Sequence, residues 1–208
     1  VSALYIADGH HRMASASLAR EEFVRQGRPT VPSEADAVMA TAFPHTQVRI
    51  LPYNRVVQDL QGRSPREFLD QIKAKLPLRS GQPLPAKAGE VAMYLDGTWY
   101  NVGLTEFTHS VDRADALDVA RLHRDILAPL LGIRDIRRDS RIDFVGGSLG
   151  AAALQERVDQ GEAAVAFSMF PVTVDDLMTI ADEGSIMPPK STWFEPKLRD
   201  GLLIHLVV

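Results

Sequence analysis

The chain has 208 residues, 45% of them hydrophobic, with 23 lysines and arginines against 27 aspartates and glutamates and a net charge of −4. That suits one large domain or two small ones with a real core, and the slightly acidic balance leaves no electrostatic footprint for DNA or RNA. The absence of cysteine excludes disulfides, thiolate metal sites and cysteine nucleophiles, and fits a reducing cytoplasm.

Ala3-Leu4-Tyr5-Ile6-Ala7 is a short apolar run that predicts a buried strand, and Met13 to Gln26 reads as a helix closed by Gly27. Between them stand Asp8, Gly9, His10, His11 and Arg12, at a strand's carboxyl end and a helix's amino end. Free backbone N–H groups and the positive pole of the helix dipole favour an anion there. Gly9 lets a ligand approach the backbone, and the planar fork of Arg12 matches a phosphate or carboxylate. The plainer alternative is a solvated first turn with Asp8 as its N-cap.

Farther on, Ala37 to Phe43 and Val48 to Leu51 read as strands, the second followed by Pro52 and a polar turn through Asn54 and Arg55. Ser64, Pro65 and Glu67 form a capping-box pattern opening a helix to about Leu76. Pro77 to Gly89, rich in proline and glycine, reads as a loop and an internal boundary between segments 1–76 and 90–208. Val91–Leu95 and Trp99–Leu104 flank Asp96-Gly97, a strong hairpin signal. From Asp112 to Gly132 an apolar stripe at helical spacing carries His123 on or beside its buried face. Ile142–Val145, Ser148–Gln160, Ala163–Phe170 and Thr173–Glu183 then alternate strand and helix, and Leu202–Val208 reads as a last strand. The expected architecture is α+β with α/β-like alternation, a mixed sheet covered by helices.

Met187-Pro188-Pro189-Lys190-Ser191-Thr192-Trp193-Phe194-Glu195-Pro196-Lys197 is the second unusual stretch. Its prolines preset the backbone and display Lys190, Ser191 and Thr192, a good phosphate ligand set without the glycine frame of a P-loop. The same stretch also reads as a rigid connector with Trp193 and Phe194 packed beneath the last strand. No apolar run approaches the roughly 20 residues of a membrane helix, and the N-terminus lacks the pattern of a signal peptide. Because Val1 opens the chain almost inside a predicted strand, a piece of a longer protein is expected.

Together, residues 7–12, Ile50-Leu51-Pro52, Leu117 to His123, Asp143-Phe144-Val145-Gly146-Gly147 and residues 187–197 resemble the C-terminal half of a bacterial and archaeal family. This is the domain-of-unknown-function family numbered ten-fifteen, whose members carry SpoOJ-like or ParB-like labels. The resemblance spans nearly the whole chain, and its members are about twice as long. It implies a more distant kinship with the ParB/sulfiredoxin superfamily through Gly9-His10-His11-Arg12, and the spelling Asp8-Gly9-His10-His11-Arg12 resembles its free-serine-kinase branch. By that likeness Arg12 and the local backbone hold a nucleotide phosphate, His10 or His11 assists, and Asp8 orients metal or substrate. The cofactors implied are ATP or ADP with Mg²⁺. Two departures stand out: no cysteine for sulfiredoxin chemistry, and no basic helix-turn-helix for DNA partition.

The expected activity is binding of a nucleotide or other phosphorylated small molecule, with phosphoryl transfer to a small-molecule acceptor. Arg12 is its charge clamp, and Asp8 with His10 or His11 its acid–base or Mg²⁺-orienting set. Lys190, Ser191 and Thr192 are expected as a second anion contact, and His123 and Lys197 as accessory groups. Two alternatives remain at this point. One is a nucleotide- or anion-sensing domain without turnover, and the other a metal-dependent hydrolase using Asp8, His10 and His11 with a distant His123 or His45.

Overall fold

A computed structural model of the chain describes residues 3–27, 36–106, 112–199, 201 and 204. The chain forms two compact units, Ile50–Trp193 and a smaller one of Val1–Arg49 with Phe194–Val208. The boundary expected within Pro77–Gly89 is therefore displaced. That stretch lies inside the larger unit, where Leu78–Ser80 is an edge strand.

The fold is α+β. Eight strands and five α-helices occur among the described residues: β1 (Arg49–Leu51), β2 (Tyr53–Val57), α2 (Pro65–Lys73), β3 (Leu78–Ser80), β4 (Glu90–Leu95), β5 (Thr98–Gly103), α3 (Asp118–Leu122), β6 (Ile142–Gly146), α4 (Gly150–Asp159), β7 (Val165–Ser168), α5 (Val174–Asp182) and β8 (Trp193–Glu195), with α1 (His10–Arg25) ahead of them all. Six strands make one sheet in the order β3-β5-β4-β7-β2-β6, and β1 and β8 belong to a separate two-stranded sheet. Every pairing in the large sheet is antiparallel, where the strand–helix alternation had pointed to a mixed one. Alternation in sequence does not by itself require parallel crossovers, because β4 and β5 form a hairpin about Asp96-Gly97 with Leu95 opposite Thr98.

All six residues of β4 and all four of β7 are buried, and apart from Glu90 and Ser168 at the strand ends these central strands are apolar. On β2 the pleat sends alternate side chains to opposite faces. Val56 joins Tyr94, Val145, Ala166 and Leu154 of α4 in one hydrophobic cluster, and the Tyr94 hydroxyl donates to Asp159 at the end of that helix (2.8 Å). Arg55 therefore faces the other side. The predicted polar turn through Asn54 and Arg55 is thus wrong: both residues lie, buried, in a strand paired along both edges, with β6 and with β7.

Local signals decide the helix starts. Ser64 and Glu67 close a capping box on α2, and Thr173 and Asp176 close one on α5. The long helix expected over 112–132 is shorter, with α3 passing directly into a π-helical turn at His123–Leu127. In the smaller unit, neither 3–7 nor 37–43 is a strand, and all of 37–43 is exposed. An apolar run names no secondary structure until strand partners exist. Helix α1 starts at His10, three residues before the expected Met13, and none of its residues is buried. Most of the expected last strand, 202–208, lies outside the described residues.

Two outcomes follow from this distribution of burial. Leu154→Ala, at a fully buried position under the sheet, is expected to cost about 2–5 kcal/mol in urea unfolding. Leu149→Ala, at a site 65% exposed, should stay within about 0.5 kcal/mol of the parent. In native-state hydrogen exchange, amides of α1 should exchange far faster than those of β4, because helix formation without burial has little to hold it closed. Equal protection of the two elements would contradict this reading.

Candidate functional site

In the smaller unit the described site begins at Gly9, the N-cap of α1, whose φ of 86° is left-handed. Asp8 is therefore not the cap. Its Oδ1 accepts the Gly9 N–H (2.8 Å) and its Oδ2 accepts Lys197 Nζ (3.0 Å). No side chain caps the helix and its first turn holds no acid, so the N–H groups of His10, His11 and Arg12 have no acceptor within the helix. Arg12 folds back over the glycine: a Cβ at position 9 would stand 3.0 Å from its Nε and Nη2. Partial burial works to raise the Asp8 carboxyl. The Lys197 ammonium, the Gly9 N–H and the Arg12 charge outweigh it and hold the group below its ordinary value. The structure thus groups Asp8, Gly9, Arg12 and Lys197, with His10 and His11 exposed beside them.

The remaining sequence-selected residues lie in the larger unit. Lys190, with φ 55°, places its Nζ 5.3 Å from the Tyr53 ring centroid and 5.9 Å from that of Phe144. Ser191 is buried and its hydroxyl donates to the Pro188 carbonyl, so this hydroxyl serves its own loop. Thr192 is half-buried next to it. His123 opens the π-helical turn, and its Nε2 is buried without a hydrogen-bond partner.

Sequence reasoning missed Arg55, which is 1% exposed. Its guanidinium donates to the carbonyl of Tyr53 and, at 3.0 Å, to that of Lys190, and stands 5.7 Å from the Phe144 ring centroid. Burial lowers its pKa to about 9, which leaves it cationic at neutral pH. Among the described residues it has no carboxylate partner. Arg55 and His123 both line a cleft of about 710 Å³, together with Arg134, Arg137 and the Ile186–Pro189 segment. Tyr53 meets Trp193 and Phe144 edge-on, at 5.3 and 6.4 Å between centroids. The Trp193 ring lies on Gly146, where a Cβ would come within 2.6 Å of it. Only glycine permits that approach.

A magnesium ion asks for oxygen ligands. Asp8 is the one carboxylate of the α1 group, and its oxygens are already taken by Gly9 and Lys197. Among the described residues no three His, Asp or Glu side chains gather where they could hold a metal. The residues grouped at α1 therefore do not build a magnesium site by themselves. Nor do Asp8, His10 and His11 form the ligand set a metal-dependent hydrolase would need. No helix among the described residues is long and apolar enough to cross a membrane.

No curated protein matches the chain. Among solved structures it is similar to a free serine kinase in complex with AMP, at 17% identity and a TM-score of 0.48, over 90% of this chain and 66% of that one. A mutant of that kinase in complex with ADP gives 17% identity and 0.47 over the same shares. A conserved hypothetical protein from Pyrococcus furiosus gives 16% and 0.44, over 90% and 68%. The chain thus spans just under two thirds of the kinase structures, and a likeness of this degree assigns it no ligand. The family described as "Protein of unknown function (DUF1015)" matches residues 1–120, so the motifs at 143–147 and 187–197 fall outside the match. That description carries no SpoOJ or ParB designation, and the kinship inferred from Gly9 to Arg12 is corrected accordingly. On a match to more than half of its length, the chain belongs to the DUF1015 family.

Proposed function

We infer that this chain binds a nucleotide or another phosphorylated small molecule at the start of α1. The observation that carries the reading is a helix that begins uncapped on a left-handed Gly9, with no acid in its first turn and the Arg12 guanidinium folded over that glycine. Free N–H groups, the helix dipole and a planar guanidinium all favour the same ligand, a phosphate. Lys197 pairs with Asp8, which offsets the repulsion of this carboxylate toward the anion.

Phosphoryl transfer asks for more, namely a group to take the proton of an acceptor hydroxyl. With Asp8 tied to Lys197, that role falls to His10 or His11. Binding is accordingly the reading the geometry supports best, and transfer to a small-molecule acceptor is its extension.

Calorimetric titration with ATP and ADP tests it. Arg12→Ala is expected to weaken binding at least about tenfold, the worth of one charge-assisted contact to phosphate. Gly9→Ala should weaken it as well, since the new Cβ strains the turn and displaces Arg12. Equal affinity in the parent and both variants would refute the assignment. ADP release from ATP with free serine as acceptor reads the extension separately, and its absence would leave a binding protein.

A further inference from the structure

We propose that the cleft around Arg55 in the larger unit is a second anion site, built to take the phosphate of a small phosphorylated compound. The argument is independent of the α1 site. Arg55 buries a cation in the six-stranded sheet, on a strand next to the edge strand β6 and paired along both edges. Of its five N–H groups two are spent on the carbonyls of Tyr53 and Lys190. Carbonyl dipoles and the Phe144 face soften the burial of a full charge without cancelling it. A buried cation without a counter-charge that lines a cleft is a candidate site for an anion.

The other lining groups agree. His123 directs no hydrogen bond from its buried Nε2 to any partner, although it lines the same cleft. It stands where α3 widens into a π-helical turn, a rare irregularity that often marks functional positions. At the rim Arg134 and Arg137 are exposed, and neither forms an ion pair among the described residues. The carboxylates lining the cleft are Asp115 and Asp135. Asp135 already receives the Arg137 backbone N–H and faces Arg138. The Ile186–Pro189 side is apolar, so the ligand has an apolar body as well as a charged head, and the volume of about 710 Å³ suits one small molecule.

The test uses phenyl phosphate, with inorganic phosphate and benzoate for comparison, titrated into the Arg12→Ala chain, in which binding at α1 is weakened, and the cleft variants below assign the signal that remains. Saturable binding is expected, with phenyl phosphate tighter than either comparison ligand. Arg55→Met keeps the volume without the charge and should weaken it at least about tenfold. The pair Arg134→Ala/Arg137→Ala, both at exposed positions, should weaken it several-fold with the fold intact, and decides the matter if Arg55→Met does not fold. Absence of binding in the Arg12→Ala chain, or unchanged affinity in the variants that fold, overturns the proposal. Tighter binding of benzoate than of phenyl phosphate overturns the phosphate assignment. None of these results bears on the nucleotide titration at α1.

Discussion

Strand β2 is hydrogen-bonded on one edge to β6 and on the other to β7, and the larger unit depends on that double pairing. Because side chains alternate across a strand, fixing the register of Val56 against Asp143 and Ala166 also fixes where Arg55 points. A slip of one residue would send a charge into the cluster of Val56, Tyr94 and Leu154 and pull the valine out of it. The apolar face under α4 thus enforces the polar arrangement opposite. Burial of ordinary hydrophobic side chains is what holds an unusual cation in place.

Much of this fold was legible in the sequence wherever the signal was local. The capping box at Ser64 needs only residues three apart, and the Asp96-Gly97 hairpin only its two flanking runs. Tertiary context defeated the reading elsewhere. Tyr53-Asn54-Arg55 looks like a turn, since polar residues after a proline usually form one. It becomes a strand because β6 and β7 supply backbone partners and the Asn54 side chain accepts the Met169 N–H (3.0 Å). The converse holds for 37–43, an apolar run with no strand to pair with among the described residues. In the candidate sites, Gly9 and Arg12 were visible because a helix start announces itself in sequence. Arg55 was not, because a buried cation differs from an exposed one only by what surrounds it.

The two proposed anion sites differ in physical kind. At α1 the charges are exposed, water screens them, and the advantage comes from backbone N–H groups already aligned by the helix. Such a site gains most from a ligand that uses several donors at once, so a phosphate with three oxygens is proposed for it rather than a carboxylate. In the cleft the same Coulombic attraction acts in a less polarisable medium and counts for more. The protein meets the cost of dehydrating Arg55 on folding, so a ligand there is spared that part of the cost and contributes only its own desolvation.

The glycines at 146 and 147 tie these ideas together. Neither is needed for a turn: Gly146 makes room for the Trp193 ring, and a Cβ at Gly147 would meet the Pro52 carbonyl at 2.7 Å. Trp193 in turn braces Tyr53, and the Tyr53 carbonyl receives Arg55. The loop that supplies Trp193 also supplies the Lys190 carbonyl and the apolar wall of the cleft. Segments at 50–52, 143–147 and 187–193, far apart in sequence, therefore pack together beside β2. Small residues for close approach, aromatic faces for a cation and carbonyls aimed at its N–H groups form a cradle whose remaining donors have no use inside the protein. A cradle of that kind costs stability, and the proposed anion would answer the charge that remains.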